Sequence, residues 1–430
     1  MGRGRARGGM TEPRAWFGQP RGLTILFLTN MWEQFSYYGM RALLVYYMTK
    51  QLAVAQGAAS IIYGAYTACA YFTPIVGGVV ADRLLGKRRA IIAGGSIMAA
   101  GHFMMTFEPL FYVALATIAL GNGLFLPSLP SQIDDLYEPG DPRVGWAYNV
   151  YYVGVNIGGF LAPLVCGTLG ELYGWHWGFG AAGIGMVAGL GIYLWGQRYL
   201  PAQARHPAAE RAAAPRMSFP RPTLLLLLAI GLSVTVFRSA YEQVGNTVAL
   251  WADTGVDRRW GGATVPMTWF QALNPLLVIV MTPPLLALWR RRADAGGRER
   301  PARRMATGAL IVAAAYLLLA TLEAADSRAH WLWLALFFAV LTFGELHVLP
   351  TGLGLFARLA PAGLGATTVA AWYLATFAGS LAAGLVGTGW SRMSHAGFFG
   401  LLAGLAALAA GLLWLIDPLE RAVQDRVERD

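Results

Sequence analysis

Charge is what this chain has least of. Only 13% of its 430 residues are Asp, Glu, Lys or Arg, about half of what a soluble domain carries. Its only lysines are Lys50 and Lys87. The two cysteines, Cys69 and Cys166, both fall in apolar segments, which argues against a disulfide framework and for small buried residues. The six histidines are scattered, and no His-Glu-x-x-His, Gly-x-Ser-x-Gly or phosphate-loop pattern occurs, so catalysis, a bound metal and a cofactor are not expected. What the chain has in quantity is apolar length. Hydrophobic residues make up 56% of it, in runs of roughly 18 or more that recur from end to end. That is the mark of an all-α membrane protein; a β-barrel would show short alternating segments.

The runs place about twelve spans. In the first half they are 22–49, 58–82, 89–108, 110–135, 143–170 and 175–199; in the second, 222–251, 264–289, 305–323, 330–357, 362–390 and 395–416. The formal net charge of +10 does not point to nucleic acid, because the arginines cluster in alternate loops. That pattern sets orientation and puts both termini in the cytoplasm of a multi-pass plasma-membrane (inner-membrane) protein. Residues 1–21 form a basic tail with no signal-peptide or myristoylation pattern. The Pro/Ala/Arg-rich stretch 200–221 is too polar to span and divides the chain into 22–199 and 222–417, with a cytoplasmic tail at 418–430. A monomer is expected.

The first span is the least like a lipid-facing helix. It carries Asn30, Glu33, Gln34, Tyr37, Tyr38 and Arg41, and ionisable groups at this depth face protein or water rather than lipid. Each half opens with a helix bearing aromatic-Glu-Gln, Trp32-Glu33-Gln34 and Tyr241-Glu242-Gln243. Their equivalent placement suggests two six-helix bundles around a central cavity, the architecture of a secondary transporter. After the second span, Gly78, Asp82, Arg83, Gly86, Lys87 and Arg88 resemble the conformational-switch motif of the major facilitator superfamily. Gly78 is expected to permit close helix approach, and Asp82 to pair with the arginines. Asn274-Pro275 predicts a kink.

Four longer stretches resemble the proton-dependent oligopeptide transporter (POT) family. They are Glu33 to Arg41; Asp134 to Tyr137 with Gly154 to Gly158; Phe270 to Pro275; and Glu345 with Pro350 to Leu353 and Trp372 to Leu374. The resemblance implies uptake of di- and tripeptides, or other small solutes, driven by protons. It implies that Tyr37, Tyr38, Arg41, Tyr71 and Asn156 line one side of the pocket, and Asn274, Glu345 and Trp372 the other. Arg41 would meet the substrate carboxylate and pair with Glu242 as a gate; Glu345 would meet the ammonium. Packing is the plainer reading of the tyrosines and Trp372, and interhelical hydrogen bonding that of the two asparagines.

The departures from that family are as informative. Asn30, Gln34 and Leu126 stand where relatives carry charged groups, leaving Glu33 alone. Arg238 stands where relatives usually have tryptophan, and Glu33, Glu242 and Glu345 are all open as its partner. The expectation is a peptide transporter whose proton coupling is altered or lost. The alternatives are an exporter or facilitator of a peptide-like natural product and a membrane receptor that binds peptide without moving it.

Overall fold

The structure, a computed structural model, describes residues 18–138, 140–201, 220–296, 300–325, 328–360 and 364–427. Most of the expected N-terminal tail and connector therefore lies outside the described residues, as do the last three residues of the expected C-terminal tail.

Twelve long helices dominate the described residues, joined by short helical turns and two small strand pairs. In the first half they are α1 (Arg21–Tyr46), α2 (Gln56–Val80), α3 (Lys87–Met104), α4 (Phe111–Ser128), α5 (Val144–Ala162) and α6 (Trp175–Gly196). In the second they are α7 (Arg221–Tyr241), α8 (Leu273–Asp294), α9 (Pro301–Ala324), α10 (Trp331–Arg358), α11 (Gly365–Gly387) and α12 (His395–Val427). Ten helical stretches are long and apolar enough to cross a membrane unaided; those containing α1 and α3 are not among them. α1 pays in hydropathy for its polar stripe, and α3 for Lys87-Arg88-Arg89 at its start.

Neighbour order shows the repeat. In the first half the helices pack as α5–α1–α6–α3–α4–α2, and in the second as α11–α7–α12–α9–α10–α8. Each order becomes the other on adding six to the helix number. The halves meet along α2 against α11 and α5 against α8. The second half encloses one large apolar core on α7, α9, α10 and α12, centred on Phe237, Tyr316 and Phe337.

Five helix limits differ clearly from expectation. α5 ends at Ala162 rather than 170, where the π turn Pro163–Gly167 follows, and α7 ends at Tyr241 rather than 251, where the 3-10 turn Glu242–Gly245 follows. The other three each have a local reason. α4 stops at Ser128 instead of reaching 135, and two 3-10 turns, Pro130–Gln132 and Asp134–Leu136, follow. Pro127 and Pro130 withhold amide donors there. Asn274-Pro275 makes no mid-helix kink: it lies in the first turn of α8, after the 3-10 turn Met267–Ala272, where proline costs no helical bond. α12 runs on to Val427 because Asp417 and Glu420 hold its end against α9. Asp417 pairs with Arg300 at 2.5 Å and Arg303 at 3.2 Å, and Glu420 accepts from the Ala302 amide at 2.9 Å.

The switch motif also differs from expectation. A Cβ on Gly77 would lie 2.1 Å from the Gly123 carbonyl oxygen of α4, whereas one on Gly78 would meet only Pro127 at 3.6 Å. Gly77 is therefore the close-approach position, not Gly78. Gly86 takes φ 78° between the π turn Ala81–Leu85 and α3, a conformation L side chains rarely adopt. Asp82 and Arg83 are exposed and make no ion pair among the described residues. Lys87 bridges instead, to Asp135 at 2.8 Å and the Ser131 carbonyl at 2.7 Å, while Arg88 reaches the Pro201 carbonyl at 3.3 Å.

Candidate functional site at the seam between the halves

Arg21 and Arg221 start α1 and α7 on one side of the molecule, and about six turns later the two helices reach Arg41 and Glu242. Those two residues are thus equivalent in depth. Glu33, only about three turns into α1, is not the counterpart of Glu242. The aromatic-Glu-Gln repeat read from the sequence is a coincidence of letters, and the true equivalence is an ion pair across the halves.

Arg41 Nη2 donates to Glu242 Oε2 at 2.5 Å, and Arg41 Nε donates to the Tyr63 hydroxyl at 2.7 Å. The other oxygen of Glu242 accepts from Arg238 Nη2, one helical turn earlier on α7. Glu242 is buried between two guanidinium groups, one from each half. Of the three partners left open for Arg238, Glu242 is the one it takes. The rest of the Arg238 head lies over aromatic faces, with Cζ 4.5 Å from the Tyr71 ring centre and 5.8 Å from that of Tyr241. A guanidinium held flat on a ring gains a cation–π contact while keeping its in-plane donors for a carboxylate.

Around this pair the tyrosines form a continuous wall. Tyr71 stacks on Tyr373 of α11 at 6.4 Å, and Tyr37 stacks on Tyr66 and meets Tyr38 edge-on. Glu345 on α10 is held by neutral groups. Asn274 Nδ2 donates to it at 2.6 Å and to Thr342 Oγ1 at 3.0 Å, and the Tyr241 hydroxyl lies beside it. Tyr38 lies beside the cation, with Arg41 Cζ 6.0 Å from its ring centre.

Other expected site residues stand apart. Glu33 is fully buried; its Oε2 accepts from Gln34 Nε2 at 2.7 Å, and its Oε1 has no hydrogen-bond partner among the described residues. No cation reaches it there: Asn30 donates to the Tyr151 carbonyl at 3.3 Å, and Leu126 is apolar. Asn156 turns back to the Tyr152 carbonyl of its own helix at 3.0 Å, so it is neither interhelical glue nor tied to the charged cluster. Trp372 packs into the second-half core, edge-on to Phe356 at 5.4 Å.

Several participants were missed in the sequence. Tyr63, the second acceptor for Arg41, lies eight positions before Tyr71 on α2, a helical spacing that marks a shared face. Glu171 carries no local signal, yet its carboxylate accepts from the Met267 and Thr268 amides at 2.9 Å each and from Thr268 Oγ1 at 2.6 Å across the halves. Further bonds on the same side join Tyr46 to the Ala249 carbonyl at 2.6 Å, Ser60 to Asn246 at 3.1 Å, and Lys50 to Asp253 at 2.5 Å. These contacts seal the side of the molecule away from Arg21 and Arg221.

Residues 88–219 and 216–397 match the POT family. The chain belongs to the POT family. It is 30% identical to a di-/tripeptide transporter of Lactococcus lactis subsp. cremoris, over 94% of this chain and 96% of the relative. It is 29% identical to a peptide transporter of Yersinia enterocolitica, over 96% and 97%. A solved peptide transporter POT in complex with sulfate superposes with a TM-score of 0.86 at 28% identity, covering 95% of this chain and 96% of that one. As a POT family member the protein has the major facilitator fold and is a membrane transporter rather than an enzyme. In that fold its sealed seam, Arg41–Glu242 pair and Glu345 sit where two bundles of a transporter face one another.

Proposed function

We propose that the protein moves di-/tripeptides or peptide-like small molecules by alternating access, with proton coupling altered or lost. The observation that carries this reading is opposite charge on the two halves: a cation from the first, Arg41, lies over the Tyr38 ring, and a carboxylate from the second, Glu345, is held in place by Asn274. A short peptide is a zwitterion of matching polarity. Its carboxylate suits a guanidinium through paired hydrogen bonds, and its ammonium suits Glu345. With both termini cytoplasmic, the sealed side is the extracellular one. The altered coupling is supported by Glu33, a buried carboxylate with no cation among the described residues, where the charged network of relatives is reduced to one group.

Counterflow in proteoliposomes tests the transport reading: labelled dipeptide should accumulate against unlabelled peptide inside, with no pH gradient. Arg41→Ala should weaken peptide binding by about 10- to 100-fold, as expected for a lost hydrogen bond to a charged group. Binding without exchange would make the protein a receptor and end the transport reading. Steep drive by a pH gradient that Glu345→Gln leaves intact and Glu33→Gln abolishes would end the coupling reading.

A further inference from the structure

We propose that Arg238 is a positioning residue that frees the Arg41–Glu242 gate from protons, by keeping Glu242 ion-paired whether the gate is shut or open. The proposal rests on the alternating-access reading above. Its starting point is geometric. The two partners of Glu242 sit on different bodies: Arg41 belongs to α1 in the first half, and Arg238 to α7, the helix that leads directly into Glu242. When the halves part, Arg41 leaves with the first. Arg238 is one turn away on the same rod and moves with Glu242.

Consider the gate without Arg238. Opening would strip Glu242, 1% exposed in the sealed state, of its only cation and leave a carboxylate whose remaining neighbours are the uncharged phenols of Tyr37, Tyr63 and Tyr316. A lone buried charge is strongly unfavourable, and such a group takes a proton instead. Opening would then consume a proton at Glu242, and gate and pH would be linked. With Arg238 on Oε1 the open gate still has a charge pair, and Arg41 is released to meet a substrate carboxylate without that cost. The aromatic bed fixes this arrangement: Tyr71 and Tyr241 lie along the guanidinium, and the α11 backbone at Gly379 is so close that a Cβ there would fall 2.6 Å from Arg238 Cβ. Arg238 is therefore held on Glu242 by packing as well as by charge.

Other titratable or charged groups face Glu242 from every side. Tyr37 of α1, Tyr63 of α2 and Tyr316 of α9 contribute phenols; Glu345 of α10 contributes a second carboxylate, and Arg41 and Arg238 the two cations. The phenols stay neutral in the working range and Glu345 has its own donors, Asn274 and Tyr241. Arg238 is left as the group that decides the charge state of Glu242 after Arg41 departs.

The test reads the gate rather than transport. Spin labels on Ala55→Cys and Met393→Cys, two exposed positions across the sealed side, report the distance between the halves in lipid nanodiscs, in a background of Cys69→Ser and Cys166→Ala. In the otherwise native chain the open and shut populations should be the same at pH 5 and pH 8. In Arg238→Gln the open population should rise as pH falls, because the open state now binds a proton that the shut state does not. A one-proton linkage moves the equilibrium by up to about tenfold per pH unit. Adding Glu242→Gln to Arg238→Gln should flatten the profile again, and Arg238→Lys should keep it flat. A flat profile in Arg238→Gln overturns the proposal. So does a pH-dependent gate in the native background that Glu242→Gln abolishes, a measurement that stands even if Arg238→Gln fails to fold. Counterflow with the same variants reconstituted in proteoliposomes separates this from the transport reading: absent exchange with the expected gate distances sinks the transporter and leaves the role of Arg238 standing.

Discussion

Replacing Gly64 with alanine should push the protein toward its open form. Gly64 on α2 faces Gly384 on α11 across the seam, and a Cβ on Gly64 would lie 2.5 Å from Gly384 Cα, 2.6 Å from its amide nitrogen and 2.9 Å from the Ser380 carbonyl oxygen. Ordinary carbon contacts settle near ~3.5 Å, so α2 and α11 would have to part by about 1 Å. All three obstacles are backbone atoms, and no side chain can swing aside. Overpacking of this kind typically costs about 1–3 kcal/mol. The cost falls on the sealed state alone, because the two backbones separate on opening, and it corresponds to an about 5- to 150-fold shift of the equilibrium. Spin-label distances across Ala55→Cys and Met393→Cys should show a grown open population in Gly64→Ala. Gly57→Ala is the control on the same seam, since its nearest neighbour there is Thr388, just past the end of α11, at 3.7 Å. Equal distance distributions in Gly64→Ala and Gly57→Ala would refute the reasoning.

Gly77→Ala should destabilise the first half by several kcal/mol, because its Cβ would meet the backbone of Gly123 and Leu124; Gly78→Ala should be close to neutral, and thermal unfolding in detergent compares the two. Restoring charge through Asn30→Glu, Gln34→Arg and Leu126→Lys together should create or strengthen pH-gradient dependence of peptide uptake. Unchanged uptake with and without a gradient in that triple variant would show that the missing charges are not what sets the coupling.

How much of this was legible beforehand depended on range. Helices written as long apolar runs were readable, because the bilayer dictates their length. α1 was readable for the opposite reason, as a polar stripe that lipid would not tolerate. Choices within one turn were not. Adjacent glycines differ by about 100° around a helix, and nothing local says whether Gly77 or Gly78 faces α4. The partner of Arg238 was undecided because three carboxylates lay within plausible reach and only helix depth chooses among them. Helix depth also exposed the false repeat: three matching letters aligned Glu33 with Glu242, while the fold aligns Arg41 with Glu242. Glu171 was invisible, since its partners lie about a hundred residues away and are backbone amides, which leave no signature in a sequence.

Those amides have a consequence of their own. Glu171 closes the seam by occupying donors at the start of the Met267–Ala272 turn, and Lys50 with Asp253 and Ser60 with Asn246 do similar work nearby. Each of these groups can be served equally well by solvent, so parting the halves swaps protein partners for water molecules at small net cost per bond. Water is then a reactant in the conformational cycle, taken up when the outer vestibule opens and released when it shuts. Osmolytes excluded from the vestibule should lengthen the sealed dwell, and dilute solution should shorten it. A transporter built this way breathes on solvent exchange, and whatever gradient drives it needs only to bias a door already able to swing.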